Sequence, residues 1–229
     1  MDLTVKAAAQ LLEVSEDVVF KWIKDRGLPA YRIKNQFRIN RENAFEWATV
    51  NGIAISPRFL GATFKPPAAA LPSLIESIGR GGIHYGIKGA SIKAAMTSAV
   101  QALPLPATIK RPFLLQMLLA REAVGSTGIG EGIALPHPRN PIVLSVDKPL
   151  VSILFLDQPL DFNAIDHQPV TVFFLLISPT VRIHLHLLSR IAFAVQNSAV
   201  HTLLRSKAPA GDLLAALNAA ENAISPHRN

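Results

Sequence analysis

A single histidine follows a glycine-rich segment in the middle of the chain. Gly128, Gly130 and Gly132 occupy alternating positions, and a short apolar run then leads to His137, which has a proline on each side. Because each proline fixes its own φ and restricts the residue before it, we expect the imidazole to be held stiffly at the end of a strand. Neutral imidazole is a good nucleophile near pH 7 and can carry a covalent intermediate. The spacing predicts a rigid histidine beside exposed backbone N–H groups, which is a place for an anion.

The segment resembles the active-site segment of the phosphotransferase-system EIIA domains of the mannitol, fructose and nitrogen-regulatory class. In that family the pattern Gly-Ile-Gly-x-Gly-Ile-Ala-x-Pro-His ends in the histidine that accepts a phosphoryl group, and residues 128–137 match it without a gap. The resemblance extends over residues 73–222. It implies that His137 is the phosphoryl acceptor and that the groups shaping the phosphate site belong to Ser126, Thr127, Gly128, Gly130 and Gly132.

Two more residues match positions that the family uses around the phosphoryl group. Arg121 precedes the acceptor histidine by 16 residues, where the family has a phosphate-binding arginine. His184 begins a His-Leu-x-Leu-Leu-x-x-Ile-Ala run that matches the family's second active-site histidine, whereas His186 is out of that register. Residues 166–170 resemble the family's Asp-Gly-Gln-Pro-Val turn, with His167 in place of the glycine.

The rest of the C-terminal part has the alternation of strands and helices that such a domain needs. Leu150–Leu156 and Val170–Ile177 are continuous apolar runs, which is typical of central strands covered on both faces. Apolar stripes at helical spacing occur after Ser91, before Glu122 and from His184 onward. The pattern predicts an α/β domain, and the resemblance specifies an EIIA-type mixed sheet flanked by helices.

The N-terminal part has the pattern of a small helix-turn-helix module. Thr4 and Ser15 are N-caps for two short helices, and Gly27 ends the second one. Residues 30–39 alternate apolar and basic side chains, which predicts a hairpin with one apolar and one basic face that turns at residues 35–36. A third helix follows the hairpin.

Residues 1–50 resemble the excisionase/MerR-type winged helix. The resemblance implies that Glu16–Asp25 enters the major groove of DNA while the hairpin lies on phosphates or in the minor groove. Asp17 and Val18 depart from the family, so a module that keeps the fold and binds protein is the alternative. Because a module of this size binds weakly alone, a homodimer or a paired DNA site is expected. The candidate DNA-binding residues are Lys21, Lys24, Arg26, Arg32, Lys34 and Arg38.

The chain is therefore predicted to consist of a winged helix-turn-helix domain (1–54), a linker containing four prolines (55–72) and an EIIA-type domain (73–229). It has no cysteine, and no acidic triad or histidine spacing typical of metal ligands occurs, so no metal and no cofactor are expected. No apolar run reaches membrane-spanning length and the N-terminus lacks a signal-peptide pattern, so we expect a cytoplasmic protein without membrane insertion.

These features predict a nitrogen-regulatory phosphotransferase-system regulator that is phosphorylated on His137 by the phosphocarrier protein HPr, or its nitrogen-branch equivalent, and that binds DNA. It would be a phosphohistidine carrier rather than a turnover enzyme. The alternative is an EIIA phosphocarrier that passes phosphate to a separate EIIB in sugar uptake, with the N-terminal module serving only for docking. A third hypothesis is a sensor that only binds other proteins. Strong salt dependence of duplex binding would favour the first hypothesis, and rapid dephosphorylation by an EIIB would favour the second.

Overall fold

The computed structural model describes residues 2–34, 36–51, 53, 71–139, 144 and 146–223. The chain divides into two compact units, residues 1–70 and 71–229. Of the predicted linker, all but Leu71 and Pro72 lies outside the described residues.

In its described residues, the N-terminal unit contains three helices and a small sheet. Its elements are β1 (Asp2–Thr4), α1 (Val5–Leu11), α2 (Glu16–Asp25), β2 (Tyr31–Ile33), β3 (Gln36–Asn40) and α3 (Arg41–Val50). Both predicted N-caps are confirmed, because Thr4 Oγ1 accepts a hydrogen bond from Ala7 N at 3.1 Å and Ser15 Oγ accepts one from Val18 N at 3.4 Å. The sequence did not predict β1, which pairs antiparallel with β3 and gives a sheet of order β1-β3-β2.

The register of the hairpin shows that the predicted separation into an apolar and a basic face is wrong. Arg32 pairs with Phe37, and Tyr31 pairs with Arg38. Because directly opposed residues share a face of the sheet, each basic side chain lies on the same side as an aromatic one. The physical reason is parity: an even number of residues between the strands puts the alternation of β3 out of phase with that of β2.

The turn also lies one residue earlier than predicted, since Ile33 pairs with Gln36. Lys34 has φ +45°, in the left-handed region that tight turns use. Tyr31 and Ile33 are 44% and 46% exposed. The outer side of the hairpin, defined here as the face that carries Tyr31, Ile33 and Arg38, is therefore both apolar and basic.

The C-terminal unit is a five-stranded mixed sheet with helices on both faces, which confirms the predicted fold. The elements in chain order are α4 (Leu74–Gly81), β4 (Ile83–Ile87), α5 (Ile92–Ala102), α6 (Arg111–Glu122), β5 (Gly128–Gly130), β6 (Ile133–Ala134), β7 (Leu150–Leu160), β8 (Val170–Ile177), α7 (Val181–Val195), α8 (Ser198–Arg205) and α9 (Ala210–Ala223). Strand order is β4-β7-β8-β6-β5, with β4 parallel to β7, β8 parallel to β6, and the other two neighbouring pairs antiparallel.

The two apolar runs form β7 and β8, the inner strands around which the core is built. One face of these strands, including Leu154 and Phe173, packs against α5 and α6 in a single apolar cluster. The opposite face contacts α4 and α7. Coverage on both sides explains why the runs show continuous apolar character instead of alternation. Within the described part of the chain, no helix combines the length and apolar character needed to cross a bilayer.

Candidate functional site

The glycine segment folds into a short hairpin that positions His137. Strand β5 pairs antiparallel with β6, and β6 pairs in parallel with the central strand β8. Immediately after β6, the carbonyl of Pro136 accepts a hydrogen bond from Leu176 N at 3.1 Å. His137 therefore follows a segment that is anchored to the middle of the sheet, between two residues whose φ is fixed by their rings.

Two glycines of this hairpin are required for different reasons. Gly132 has φ +77°, in the left-handed region that side chains disfavour. Gly128 lies against Ala164, and a Cβ atom at Gly128 would lie 2.7 Å from the Cβ of that alanine. The hairpin thus reaches its position by one backbone conformation and one close approach that other residues would disturb.

The expectation that the backbone N–H groups of this segment face an anion is wrong for three of them. These N–H groups donate to side chains of the protein itself, Thr127 to Glu122 at 2.9 Å, Gly128 to Ser126 at 3.0 Å and Glu131 to Asp166 at 2.7 Å. A donor that is already paired within the fold is not available to a phosphate. These three N–H groups therefore help to hold the segment in place.

The two hydroxyl groups before the glycines have the same scaffolding role. Ser126 Oγ donates to the carbonyl of Phe162 at 2.5 Å, and Thr127 Oγ1 donates to Glu122 Oε2 at 2.6 Å. Burial raises the pKa of Glu122 above its usual range, while the hydrogen bonds from Thr127 and Ser126 and the charge of Arg121 act in the opposite direction. These contacts close the loop between α6 and β5.

Arg121 lies in the last turn of α6 and contacts the acceptor candidate directly. Its Nε donates to His137 Nε2 at 3.3 Å, and its Nη1 donates to the carbonyl of Gly125 at 2.9 Å. Arg121 and His137 are 7% and 3% exposed. The guanidinium is therefore held in place by the loop that leads to the glycine hairpin, with one N–H directed at the ring.

The other nitrogen of the His137 ring faces the backbone. Its Nδ1 lies 2.6 Å from the carbonyl oxygen of Leu135. A carbonyl oxygen can only accept, so Nδ1 must carry the hydrogen of the neutral ring. The lone pair is consequently on Nε2, the nitrogen beside Arg121.

His184 completes the group from the first turn of α7. Its ring centroid lies 5.0 Å from that of His137, with the ring planes at 58°. The residue is 2% exposed, and its Nδ1 lies 3.0 Å from Ser178 Oγ. The structure thus brings together the three residues predicted from the resemblance. His186 points elsewhere, because its Nε2 donates to the carbonyl of Pro72 at 3.2 Å.

Sequence reasoning missed Glu122, Leu135 and Ser178, which hold these three residues in place. Leu135 acts through its carbonyl, so its side chain carries no signal of this role. Glu122 follows Arg121 directly, and Ser178 follows the buried strand β8. A serine directly after an apolar strand and shortly before the second histidine is the one signal that could have been used.

The candidate DNA-binding residues lie in two places on the N-terminal unit. Lys21, Lys24 and Arg26 are exposed on α2 and at its C-terminal end. Arg32 lies over the ring of Phe37, 4.6 Å from its centroid. The remaining two belong to the hairpin: Lys34 lies in the turn and Arg38 on its outer side.

Among the described ranges, no group of three or more histidine, cysteine or acidic side chains is arranged to hold a metal ion. The candidate site is therefore an arrangement of two imidazoles and one guanidinium. These groups suit an anion.

Comparison with known proteins identifies two families in the chain. Residues 80–220 match "Phosphoenolpyruvate-dependent sugar phosphotransferase system, EIIA 2", and residues 3–49 match "Helix-turn-helix domain". The nitrogen regulatory protein of Pseudomonas aeruginosa is 41% identical over 103 residues, covering 44% of this chain and 64% of the relative. That of Escherichia coli is 34% identical over 131 residues, covering 56% of this chain and 76% of the relative.

Among solved structures, the nitrogen regulatory protein IIA-Ntr from Neisseria meningitidis is similar, with a TM-score of 0.53 at 28% identity. The similarity covers 59% of this chain and 92% of that protein. The chain belongs to the phosphotransferase-system EIIA 2 family, with a domain of the nitrogen-regulatory IIA type at residues 80–220 and a helix-turn-helix domain at residues 3–49.

Proposed function

We propose that this protein is a cytoplasmic phosphotransferase-system regulator that carries a phosphoryl group on Nε2 of His137 and binds DNA through its N-terminal domain. The observation that supports the first half most directly is the state of the His137 ring. Its Nδ1 is bonded to the Leu135 carbonyl and its Nε2 meets Arg121 at 3.3 Å. One nitrogen is therefore occupied, and the other has a lone pair beside a cation.

The transfer step needs no net movement of a proton. The lone pair of His137 Nε2 attacks phosphorus in a phosphohistidine of the phosphocarrier protein. As the new N–P bond forms, the old N–P bond breaks and its electron pair returns to the donor imidazole. His137 keeps its hydrogen on Nδ1, and the Leu135 carbonyl stabilises the positive charge that the phosphorylated ring acquires.

Arg121 and His184 have separate roles in this step. The N–H group that Arg121 now directs at His137 Nε2 would turn to a phosphoryl oxygen and neutralise its charge. His184, 5.0 Å away between ring centroids, would donate a hydrogen bond to the same group. Since His137 is 3% exposed, the ring must become more accessible while the donor protein is bound.

Intact-mass spectrometry tests the first half of the proposal. The full chain is incubated with phosphoenolpyruvate, enzyme I and the phosphocarrier protein HPr. We expect the mass of one phosphoryl group to be added and to be lost in acid, as a phosphohistidine requires. His137→Ala should abolish the addition, whereas the control His84→Ala, in β4, should retain it. Acid-labile phosphate on the His137→Ala chain would overturn the assignment.

The second half rests on the helix-turn-helix family match and on basic side chains at the surface of that domain. Binding to a duplex through phosphate contacts weakens steeply with salt, by about one unit of the log–log slope for each contact. The triple variant Arg32→Gln, Lys34→Gln, Arg38→Gln should therefore bind more weakly and with a smaller slope. The control Lys88→Gln, Lys93→Gln, Lys110→Gln removes the same charge from exposed positions of the other unit.

The same preparations separate this proposal from the alternative. If the protein is an EIIA that serves a separate EIIB, the phosphorylated chain should lose its phosphoryl group rapidly to that EIIB, and the hairpin triple variant should behave as the wild type. If it is a regulator, DNA affinity should differ between the phosphorylated and unphosphorylated chains. Equal affinity of both forms for DNA would overturn the proposal that the protein is a regulator.

A further inference from the structure

We propose that Ser178 is a positioning residue for His184, holding its ring so that the Nε2–H bond is directed toward the phosphoryl group on His137. The proposal rests on the proposed function of His137 and deepens it. It is carried by one contact, the 3.0 Å approach of Ser178 Oγ to His184 Nδ1, and by the burial of both residues.

The backbone around Ser178 is held at both ends. On one side it continues β8, the central strand of the sheet, which ends at Ile177. On the other side it leads to Thr180, the N-cap of α7, whose hydroxyl accepts a hydrogen bond from Ile183 N at 3.2 Å. The Ser178 side chain has no exposed surface. The Ser178 hydroxyl is therefore held in a fixed position against the ring of His184, in the first turn of α7.

The partners of the two histidines differ in a way that assigns different roles to them. His137 Nδ1 faces the carbonyl of Leu135, which can only accept, so its hydrogen is fixed on Nδ1 and its lone pair on Nε2. His184 Nδ1 faces a hydroxyl, which can donate or accept. Ser178 can therefore donate to the neutral ring while the ring hydrogen stays on Nε2. The contact thus allows His184 to be a donor from Nε2, whereas the Leu135 carbonyl gives His137 the lone pair of a nucleophile.

The hydroxyl also serves both charge states of His184. If the ring gains a proton as the phosphoryl dianion arrives, Nδ1 acquires a hydrogen and donates it to the same oxygen after the hydroxyl rotates. The Ser178–His184 hydrogen bond is thus kept through the step. A carbonyl at this position would fix His184 in the same tautomer as His137 and would leave no Nε2–H for the phosphoryl group.

The test replaces the hydroxyl and measures the ring directly. Ser178→Ala removes the contact, and Ser178→Thr restores a hydroxyl. Ser152→Ala is the matched control, because Ser152 is also fully buried in the sheet and its hydroxyl donates to the Gly81 carbonyl at 2.8 Å. Imidazole ¹⁵N shifts of His184, assigned with a His184→Gln chain, report the tautomer without any phosphorylation. Transfer kinetics from phosphorylated HPr give kcat and KM.

We expect the ¹⁵N shifts of wild-type His184 to show the hydrogen on Nε2, and those of Ser178→Ala to move toward a mixture of tautomers. The kcat for transfer should fall about tenfold or more with an unchanged KM. The reason is that the hydrogen bond from His184 to the charged phosphoryl group depends on the contact that Ser178→Ala removes. Ser178→Thr should recover most of both readouts. Ser152→Ala should lower stability and leave the shifts and kcat unchanged.

The outcomes separate the two proposals. Unchanged His184 shifts and unchanged kcat in a folded Ser178→Ala chain would overturn the role of Ser178 alone. A wild-type chain that takes up no phosphoryl group would overturn the proposed function. If His184 in the wild type carries its hydrogen on Nδ1, the positioning role of Ser178 also fails, whatever the kinetics.

Discussion

Glu122 accepts two hydrogen bonds from Thr127, one from the backbone N–H at 2.9 Å and one from the hydroxyl at 2.6 Å. The pair closes the loop that joins α6 to the glycine hairpin. Arg121, the neighbour of Glu122, bonds to Gly125 inside the same loop and to His137 beyond it. A carboxylate that has no described bond to the ring of His137 or of His184 therefore helps to set the geometry between the guanidinium and the imidazole.

Thr127→Val should loosen this loop. The change keeps the shape of the side chain but leaves Glu122 with one of its two bonds from Thr127, so we expect a loss of about 1–3 kcal/mol in the free energy of unfolding and slower phosphorylation of His137. Urea denaturation and transfer kinetics measure the two effects. Thr97→Val is the control, because its hydroxyl bonds to the Lys93 carbonyl on the outside of a helix. Equal losses in both variants would contradict the role of the loop.

The stability of the folded chain should depend on pH through the protonation of Glu122. Burial raises its pKa in the folded chain, so the folded state binds this proton more tightly than the unfolded state. The resulting stabilisation is complete below the pKa of an unfolded glutamate, about 4.3, and is lost as the pH rises through the folded pKa. Glu122→Gln should flatten this decline in Tm, and the exposed Glu76→Gln should not. Parallel wild-type and Glu122→Gln profiles would exclude the effect.

His167→Gly should stabilise the C-terminal unit. His167 has φ +58°, at the turn position where the family pattern has glycine. A side chain in the left-handed conformation costs about 1–2 kcal/mol, and glycine removes this cost. Glycine also loses more chain entropy on folding, which costs about 0.5–1 kcal/mol, so the net stabilisation should be about 0.5–1 kcal/mol. Thermal unfolding measures it. Gln168→Gly, at the next position and outside the left-handed region, should instead destabilise.

Lysine at position 121 should not perform the role of the arginine. Lysine keeps the charge, but it cannot donate to His137 Nε2 and to the Gly125 carbonyl from one planar group as Arg121 does. We expect phosphoryl transfer to His137 to slow by about 10²-fold or more, with Arg121→Gln slower still. The exposed Arg205→Lys is the control. A rate for Arg121→Lys within a factor of about two of the wild type would remove the arginine from the mechanism.

The corrected hairpin register separates two arginines that the sequence placed on one face. Arg38 lies on the outer side with Tyr31, and Arg32 covers Phe37. If the outer side faces DNA, Arg38→Gln should lower the salt slope of duplex binding by about 1. Arg32→Gln should mainly cost about 0.5–1 kcal/mol of stability through the lost cation–π contact. Anisotropy titrations at several salt concentrations measure the first effect and urea unfolding the second; stronger loss of DNA binding in Arg32→Gln would reverse this orientation.

Much of the fold could be predicted because its signals are local. The hydroxyls of Thr4 and Ser15 cap the helices that follow them, as their positions indicated. The apolar runs became the inner strands β7 and β8, since a strand buried on both faces has no polar side. His137, Arg121 and His184 were found by their match to a family pattern, and the structure brings them together.

Only the tertiary structure decided the features that depend on distant partners. A change of one residue in the length of the hairpin turn decides which strand residues face each other. In this structure the pairing places Arg32 and Arg38 on opposite sides of the hairpin. The N–H of Glu131 is occupied by Asp166, which lies 35 residues away. The Nδ1 of His137 and the Nδ1 of His184 face a carbonyl and a hydroxyl, and nothing in either side chain indicates which. Sequence patterns record which groups could bond, whereas chain folding determines which of them meet.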